Sequence, residues 1–298
     1  MAVLDGRVIT ITGAAGGLGR AYAHACAEQG ALLVLNDIGA KRDGSGFDPS
    51  IIDGVVSDIK AAGGEAVGNA EDITLTDGAA RTLEQALDTY GRVDGLVNSG
   101  GLLRDRMFTS MSPEEWDAVI VGHLRSHFSP MQAFAAHWRA ESKAGRQPGA
   151  AIVTTTSNAG LFSQPGQSNY AAAKAGIAGL TVTLADELDR YGVRVNAISP
   201  AARTRMTTEV EAMAEMVAAP ADPDAFDVFD PANVASVVAW LCSPTCTATG
   251  QVLFVRGGEL KVLQGWRYAD ERERDGQWTV DDLATTFADH QWERTPRA

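Results

Sequence analysis

The 298-residue chain is 45% hydrophobic, enough for one large α/β core or two small ones, and it carries 25 Lys and Arg against 38 Asp and Glu, a formal charge of -13. That negative field repels a nucleic-acid backbone and an anionic membrane, so neither is expected as a partner. Three cysteines, Cys26, Cys242 and Cys246, form no C-x-x-C pair and point to reduced thiols rather than a disulfide framework.

The N-terminal MAVLDGRVITITG enters a strand with no basic leader and no long apolar run, and the C-terminal RTPRA is not a peroxisomal address. The expectation is a cytoplasmic protein without a transmembrane segment. After the first strand run, 7–12, comes the turn Thr12-Gly13-Ala14-Ala15-Gly16-Gly17-Leu18-Gly19, followed by a helix ending near Gly30. Gly13, Gly17 and Gly19, with Leu18 between them, let the backbone approach a pyrophosphate, which then meets the free N–H groups at the helix start. Glycines in a tight strand-to-helix turn also have a purely steric reading. The second run, 31–37, ends in Asp37, where a carboxylate accepts ribose hydroxyls and repels a 2'-phosphate. Gly16 stands just before Gly17, where a phosphate-binding cation is otherwise found, so NAD is expected over NADP. Lys41 and Arg42, in the polar loop that follows, read as solvated.

Further strand runs at 65–70, 93–99, 150–156, 193–199 and 251–257 alternate with helical patterns. That rhythm predicts a doubly wound α/β fold, a seven-stranded parallel sheet with helices on both faces in a single domain. Helix starts are expected at Ser112-Pro113-Glu114-Glu115, at Asp230-Pro231 and at Thr76-Asp77. His123 and His127 stand four apart, a zinc-like spacing, but no H-E-x-x-H glutamate accompanies them and no metal is expected.

Tyr170 and Lys174 are also four apart, so on a helix both project from one face. A nearby ammonium favours phenolate and lowers the tyrosine pKa, which makes Tyr170 a general base. Ser157, at the end of the fifth run, is placed to meet the phenol and a substrate oxygen. A surface pair with a snorkelling lysine competes with this reading, and the nucleotide turn upstream favours chemistry. Between the sixth strand and the next helix, 201–229 carries Met206, Met213, Met216, Phe226 and Phe229 without rhythm. It reads either as a substrate lid or as an insertion packed on its own core.

TGAAGGLG, NSGG at 98–101, Ser157, YAAAK at 170–174 and NAISP at 196–200, in this order, resemble the short-chain dehydrogenase/reductase family over about Leu4 to Glu259. The resemblance implies a Rossmann-like NAD-binding domain over 1–260, with an extension over 261–298 packed on the same domain or on a partner subunit. It implies that Tyr170 moves the alcohol proton, that Ser157 holds the oxygen, and that Lys174 binds the nicotinamide ribose and depresses the tyrosine pKa. Asp72 and Ile73 are then expected at adenine, and Asn98 and Gly100 along the cofactor. LNDIGA, GGLLRDRMF, GQSNYAAAKAG and ISPAARTRMT further resemble the (3R)-hydroxyacyl-CoA dehydrogenase part of peroxisomal multifunctional enzymes. That narrower resemblance implies an acyl-CoA or steroid-like substrate and a homotetramer or homodimer. A hydroxysteroid dehydrogenase, a 3-oxoacyl carrier protein reductase and a non-catalytic nucleotide-binding regulator are the alternatives. Arg104, Arg106, Arg203 and Arg205 read either as contacts for CoA phosphates or as ordinary surface charge. Three positions depart from the family pattern: Ser99 for a second asparagine, Ala201 for a glycine, and His123 for the asparagine that joins the proton relay.

Overall fold

Strands β1 (Val8–Thr12), β2 (Leu32–Asn36), β3 (Glu65–Asn69), β4 (Gly95–Asn98), β5 (Ala150–Thr155), β6 (Val193–Pro200) and β7 (Val252–Arg256) form where the seven apolar runs lie. The computed structural model describes residues 2–41, 43–208, 211–265, 268 and 270–290; Arg42 falls outside them. These seven strands are parallel, in the order β3-β2-β1-β4-β5-β6-β7. An eighth, β8 (Glu259–Leu263), adds antiparallel to β7, so the expectation of seven strands is one short. The cause is local. Gly257 and Gly258 form a two-residue reversal between paired Arg256 and Glu259, and Gly257 has φ +52°, a hairpin geometry that the glycine pair permits.

Crossovers between parallel strands require helices, and these cover both faces. α1 (Gly17–Glu28), α2 (Ile51–Ala61) and α10 (Pro231–Cys242) pack on one face, whereas α3 (Thr76–Tyr90), α5 (Ser126–Lys143) and α7 (Ser168–Asp189) pack on the other. Neighbouring strand residues serve the two cores alternately: Val8 and Ile152 belong to the core with Phe134 and Trp138, while Ile9 and Val153 belong to the core with Tyr22 and Val238. Burying each large apolar side chain contributes roughly 1.5–3 kcal/mol. Strands buried on both faces therefore read as unbroken apolar runs.

α4 (Pro113–Ile120) starts with the expected capping box: Ser112 accepts from the Glu115 amide, and the Glu115 carboxylate accepts from the Ser112 amide. Asp230 caps α10 by accepting from the Ala232 amide. Thr76 is not a cap. Asp72 draws the chain into a turn through the Thr74 amide and hydroxyl, so α3 begins one residue early, behind Leu75. Short α6 (Asn158–Leu161), α8 (Arg205–Thr208) and α9 (Glu211–Met216) complete the domain. In the extension, α11 (Val280–Thr286) starts behind Thr279, which forms a capping box with Asp282. Among the described residues no helix is long and apolar enough to cross a membrane.

Candidate active site

The strand order reverses between β1 and β4, and this opens a crevice at their carboxyl ends. The Gly-rich turn sits there. Gly13, at φ +66°, touches Gly100 after β4 so closely that a Cβ would fall 2.6 Å from that backbone, and a Cβ on Gly19 would fall 2.0 Å from the Gly13 carbonyl oxygen. These two glycines weld turn, helix and neighbouring strand together. Above Gly16 the space is open, and α1 starts there with no side-chain cap on its first amides. Leu18 packs against the core. Gly17 faces Thr204, 3.5 Å from its Cβ position.

Asp37 follows β2, and its carboxylate accepts from the Ala15 amide at 2.9 Å and the Gly39 amide at 2.8 Å. It thus ties the second strand to the Gly-rich turn. Asp72 and Ile73 follow β3, the former engaged in its turn and the latter buried. Asn98 is buried in the sheet, where its side-chain oxygen accepts from Thr12 at 3.3 Å and its amide nitrogen has no protein partner.

Across the crevice, α6 and α7 bring Ser157, Tyr170 and Lys174 together. Ser157 caps α6 and hydrogen-bonds the Tyr170 hydroxyl. Lys174, 2% exposed, donates to the Thr155 carbonyl at 2.7 Å, and its nitrogen lies 5.5 Å from the Tyr170 ring centre. Burial depresses its pKa to about 7. Burial also pushes the Tyr170 phenol above 10; the Ser157 hydrogen bond opposes the rise and the Asp105 charge adds to it. The expectation of a phenol lowered by Lys174 is therefore corrected for this arrangement. An ammonium that is itself desolvated and turned toward a carbonyl does not outweigh the desolvation of the phenol.

His123 lies in a wide helical turn, Val121–Arg125, joining α4 to α5. Its ring meets Tyr170 edge to face, 5.0 Å between centres at 82°. His127 is buried beside it, with Nδ1 2.8 Å from the His123 carbonyl and Nε2 3.4 Å from the Thr155 amide. Burial, then the Lys174 charge, holds both rings neutral, His127 down to about 3. No group of three or more His, Cys, Asp or Glu side chains gathers for a metal among the described residues. Sequence reasoning passed over Asn169, which donates to the Arg104 carbonyl at 3.0 Å and the Glu115 carbonyl at 3.3 Å and so fastens two neighbouring segments beside Tyr170. Its only signal was its place next to the tyrosine.

Three of the four singled-out arginines are occupied, and the side chain of Arg205 lies outside those described. Arg104 holds the Asp43 carbonyl, Arg106 pairs with Glu115 at 2.9 Å, and Arg203 pairs with Asp227 and holds the Val217 carbonyl. The Arg203 amide also donates to the Phe229 carbonyl at 2.7 Å, which closes 203–229 into a loop. Within that loop Met213, Met216 and Phe226 are exposed.

The short chain dehydrogenase family model matches residues 7–215. The chain is 40% identical to hydroxyacyl-CoA dehydrogenase ChsB1 of Mycobacterium tuberculosis, over 98% of this chain and 91% of that one. It is 40% identical to murine peroxisomal multifunctional enzyme type 2, over 87% of this chain but only 33% of that protein. A short chain dehydrogenase structure from Mycobacterium avium superposes with a TM-score of 0.86 at 43% identity, covering 99% of this chain and 98% of the other. The chain belongs to the short-chain dehydrogenase/reductase family. A 3-ketoacyl-(acyl-carrier-protein) reductase from Brucella melitensis, complexed with NADH, matches with a TM-score of 0.72 at 27% identity, over 86% and 98% of the two chains.

The protein is thus an oxidoreductase that acts on small molecules with a nicotinamide cofactor. The geometry of this dehydrogenase fits that group: open space above Gly16, uncapped amides at the start of α1, and a carboxylate at the end of β2. Of the family departures, Ser99 donates its amide to the Thr12 hydroxyl at 3.3 Å, and Ala201 keeps a β7 contact through the Val255 carbonyl at 2.9 Å. Neither disturbs the crevice. His123 puts an aromatic ring against the tyrosine.

Proposed function

We propose that this dehydrogenase interconverts a secondary alcohol and a ketone on a 3-hydroxyacyl-CoA, with NAD as cofactor. The observation that carries the reading is the convergence of Ser157, the Tyr170 hydroxyl and Lys174 on one wall of the nucleotide crevice. When bound, the nicotinamide accepts hydride from the alcohol carbon or returns it to the ketone. The chain's own residues hold the oxygen and handle the proton. Ser157 donates a hydrogen bond to the substrate oxygen, and the phenolate form of Tyr170 takes the hydroxyl proton. The place of Lys174 next to the crevice suits a ribose hydroxyl. Asp37 supports NAD because its carboxylate repels a 2'-phosphate, with Gly13, Gly17, Leu18, Gly19, Asp72, Ile73, Asn98 and Gly100 along the remaining cofactor path.

The acyl part is assigned to the space under 201–229. In that segment Ala202 and Val217 are the buried apolar residues among those described, and exposed Met and Phe side chains are left to meet substrate. The hydroxyacyl-CoA assignment rests on the resemblance to ChsB1 and the multifunctional enzyme. With Arg104, Arg106 and Arg203 engaged, recognition falls on the acyl chain and reacting carbons. Assembly is proposed as a homodimer or homotetramer in the cytoplasm, with the 261–298 extension against this domain or a partner.

A panel of 3-hydroxyacyl-CoA, steroid alcohol and acyl carrier protein substrates, followed by NADH absorbance, tests the reading. Turnover of the CoA thioester is expected to rise with pH, because oxidation needs the phenolate and burial has raised the phenol. Tyr170→Phe is expected to lower kcat by about a hundredfold to ten-thousandfold. Inactivity on every CoA thioester removes the substrate assignment, and unchanged turnover in Tyr170→Phe removes the mechanism.

A further inference from the structure

We propose that His123 is a positioning residue for this reaction. Its ring holds the Gly101–Leu102 backbone and the Tyr170 ring in a single arrangement. The proposal rests on the alcohol–ketone reading above.

Two backbone groups of Leu102 meet one ring nitrogen. Nε2 lies 2.7 Å from the Leu102 carbonyl oxygen and 3.1 Å from the Leu102 amide, which donates toward it, while buried Nδ1 has no partner. A proton on Nε2 serves the carbonyl and a bare Nε2 serves the amide, so the ring is tied to this backbone whichever nitrogen carries the proton. Burial and the Lys174 charge hold the ring well below 6.5, so it stays neutral. The titratable groups facing it are Tyr170 and Lys174 from α7 and His127 from α5.

The ring also occupies the space beside Gly101. A Cβ on residue 101 would fall 1.9 Å from His123 Cε1, so glycine at 101 is what admits the imidazole. On its other side the same backbone run, through Gly100, rests against Gly13 of the Gly-rich turn. One ring therefore links the backbone beside the nucleotide turn to the proton-handling phenol. The wide turn at Val121–Arg125 carries the ring between them, and the carbonyl of residue 123 is taken by the Ser126 hydroxyl at 3.0 Å and by His127 at 2.8 Å.

Side-chain reach supplies the test. Glutamine places an amide nitrogen where Nε2 stands, whereas asparagine ends at the level of Nδ1, short of Leu102. His123→Ala and His123→Asn are expected to lower kcat about tenfold to a hundredfold, the cost of misplacing reacting groups by about an ångström, with KM for the substrate moving less than kcat. His123→Gln is expected to recover most of kcat and to keep the wild-type pH profile. Gly101→Ala, which displaces the ring without removing it, should reproduce the alanine defect, and thermal midpoints record whether each variant is folded. Full kcat in His123→Asn with His123→Gln as low as His123→Ala overturns the proposal, as does loss of a limb of the pH profile in His123→Gln. Both results leave the alcohol–ketone reading standing, because that reading falls only on the Tyr170→Phe and substrate measurements.

Discussion

Lys174 is an ammonium removed from water, and the cost of that removal depends on pH. Its folded pKa of about 7 lies below its ordinary 10.5. Between those values the unfolded chain binds more protons than the native one, so this residue's contribution to stability rises with pH across that window. Below about pH 7 both states carry the charge and the full desolvation penalty stands. Lys174→Met is therefore expected to raise the thermal midpoint relative to wild type by more at pH 6 than at pH 9, while abolishing turnover. An equal difference at the two pH values would show that the ammonium is not desolvated. Tyr170 shows the same rule acting on an acid: burial disfavours its charged form too. The i, i+4 spacing made the pair visible in the sequence. It could not show that burial governs both pKa values, since that depends on neighbours from β5 and the loop carrying Asp105.

At the scale of elements, the cofactor crevice is a meeting of chain segments, with the end of β2 clamped to the turn between β1 and α1 by Asp37. The two roles of that carboxylate are separable. Asp37→Asn keeps an acceptor for the Gly39 amide or the Ala15 amide but removes the charge proposed to repel a 2'-phosphate. The ratio of kcat/KM for NADP over NAD is expected to rise by about tenfold, in keeping with the worth of a hydrogen bond to a charged group. A ratio that stays put would detach cofactor choice from Asp37. Strands β1 to β7 and the caps at Ser112 and Asp230 were legible because apolar runs and capping residues act locally. The antiparallel β8 was missed although Gly257-Gly258 marks a reversal, because Glu259–Leu263 carries alternating charge and little burial. Thr76 failed as a cap because the Asp72 turn took over the start of α3.

The whole molecule presents two unequal surfaces beyond its cores. On the helix layer of α5 and α7, Val121, Phe128 and Val182 are exposed, and at the far edge of the sheet so are Leu260 and Val262 on β8. Apolar side chains in solvent on both flanks support the proposed assembly. Light scattering of the purified protein is expected to give two or four times the 31.4 kDa chain mass, and a monomer at micromolar concentration would refute assembly. The Arg203–Asp227 pair and the Arg203 amide bond to the Phe229 carbonyl fasten the two ends of 203–229 to each other. By itself the sequence determined the alternation of strands and helices, the Gly-rich turn, and the tyrosine, lysine and serine proposed for the site, because each of these is written in spacing along a single element or motif. Only the tertiary structure decided that His123 fits the hole left by Gly101, that Asn169 fastens the helix carrying Tyr170, that Arg104, Arg106 and Arg203 are spent on their neighbours, and that the Tyr170 and Lys174 pKa values both bend to burial. Those outcomes depend on distances between segments far apart in the chain, and spacing along the chain does not encode them.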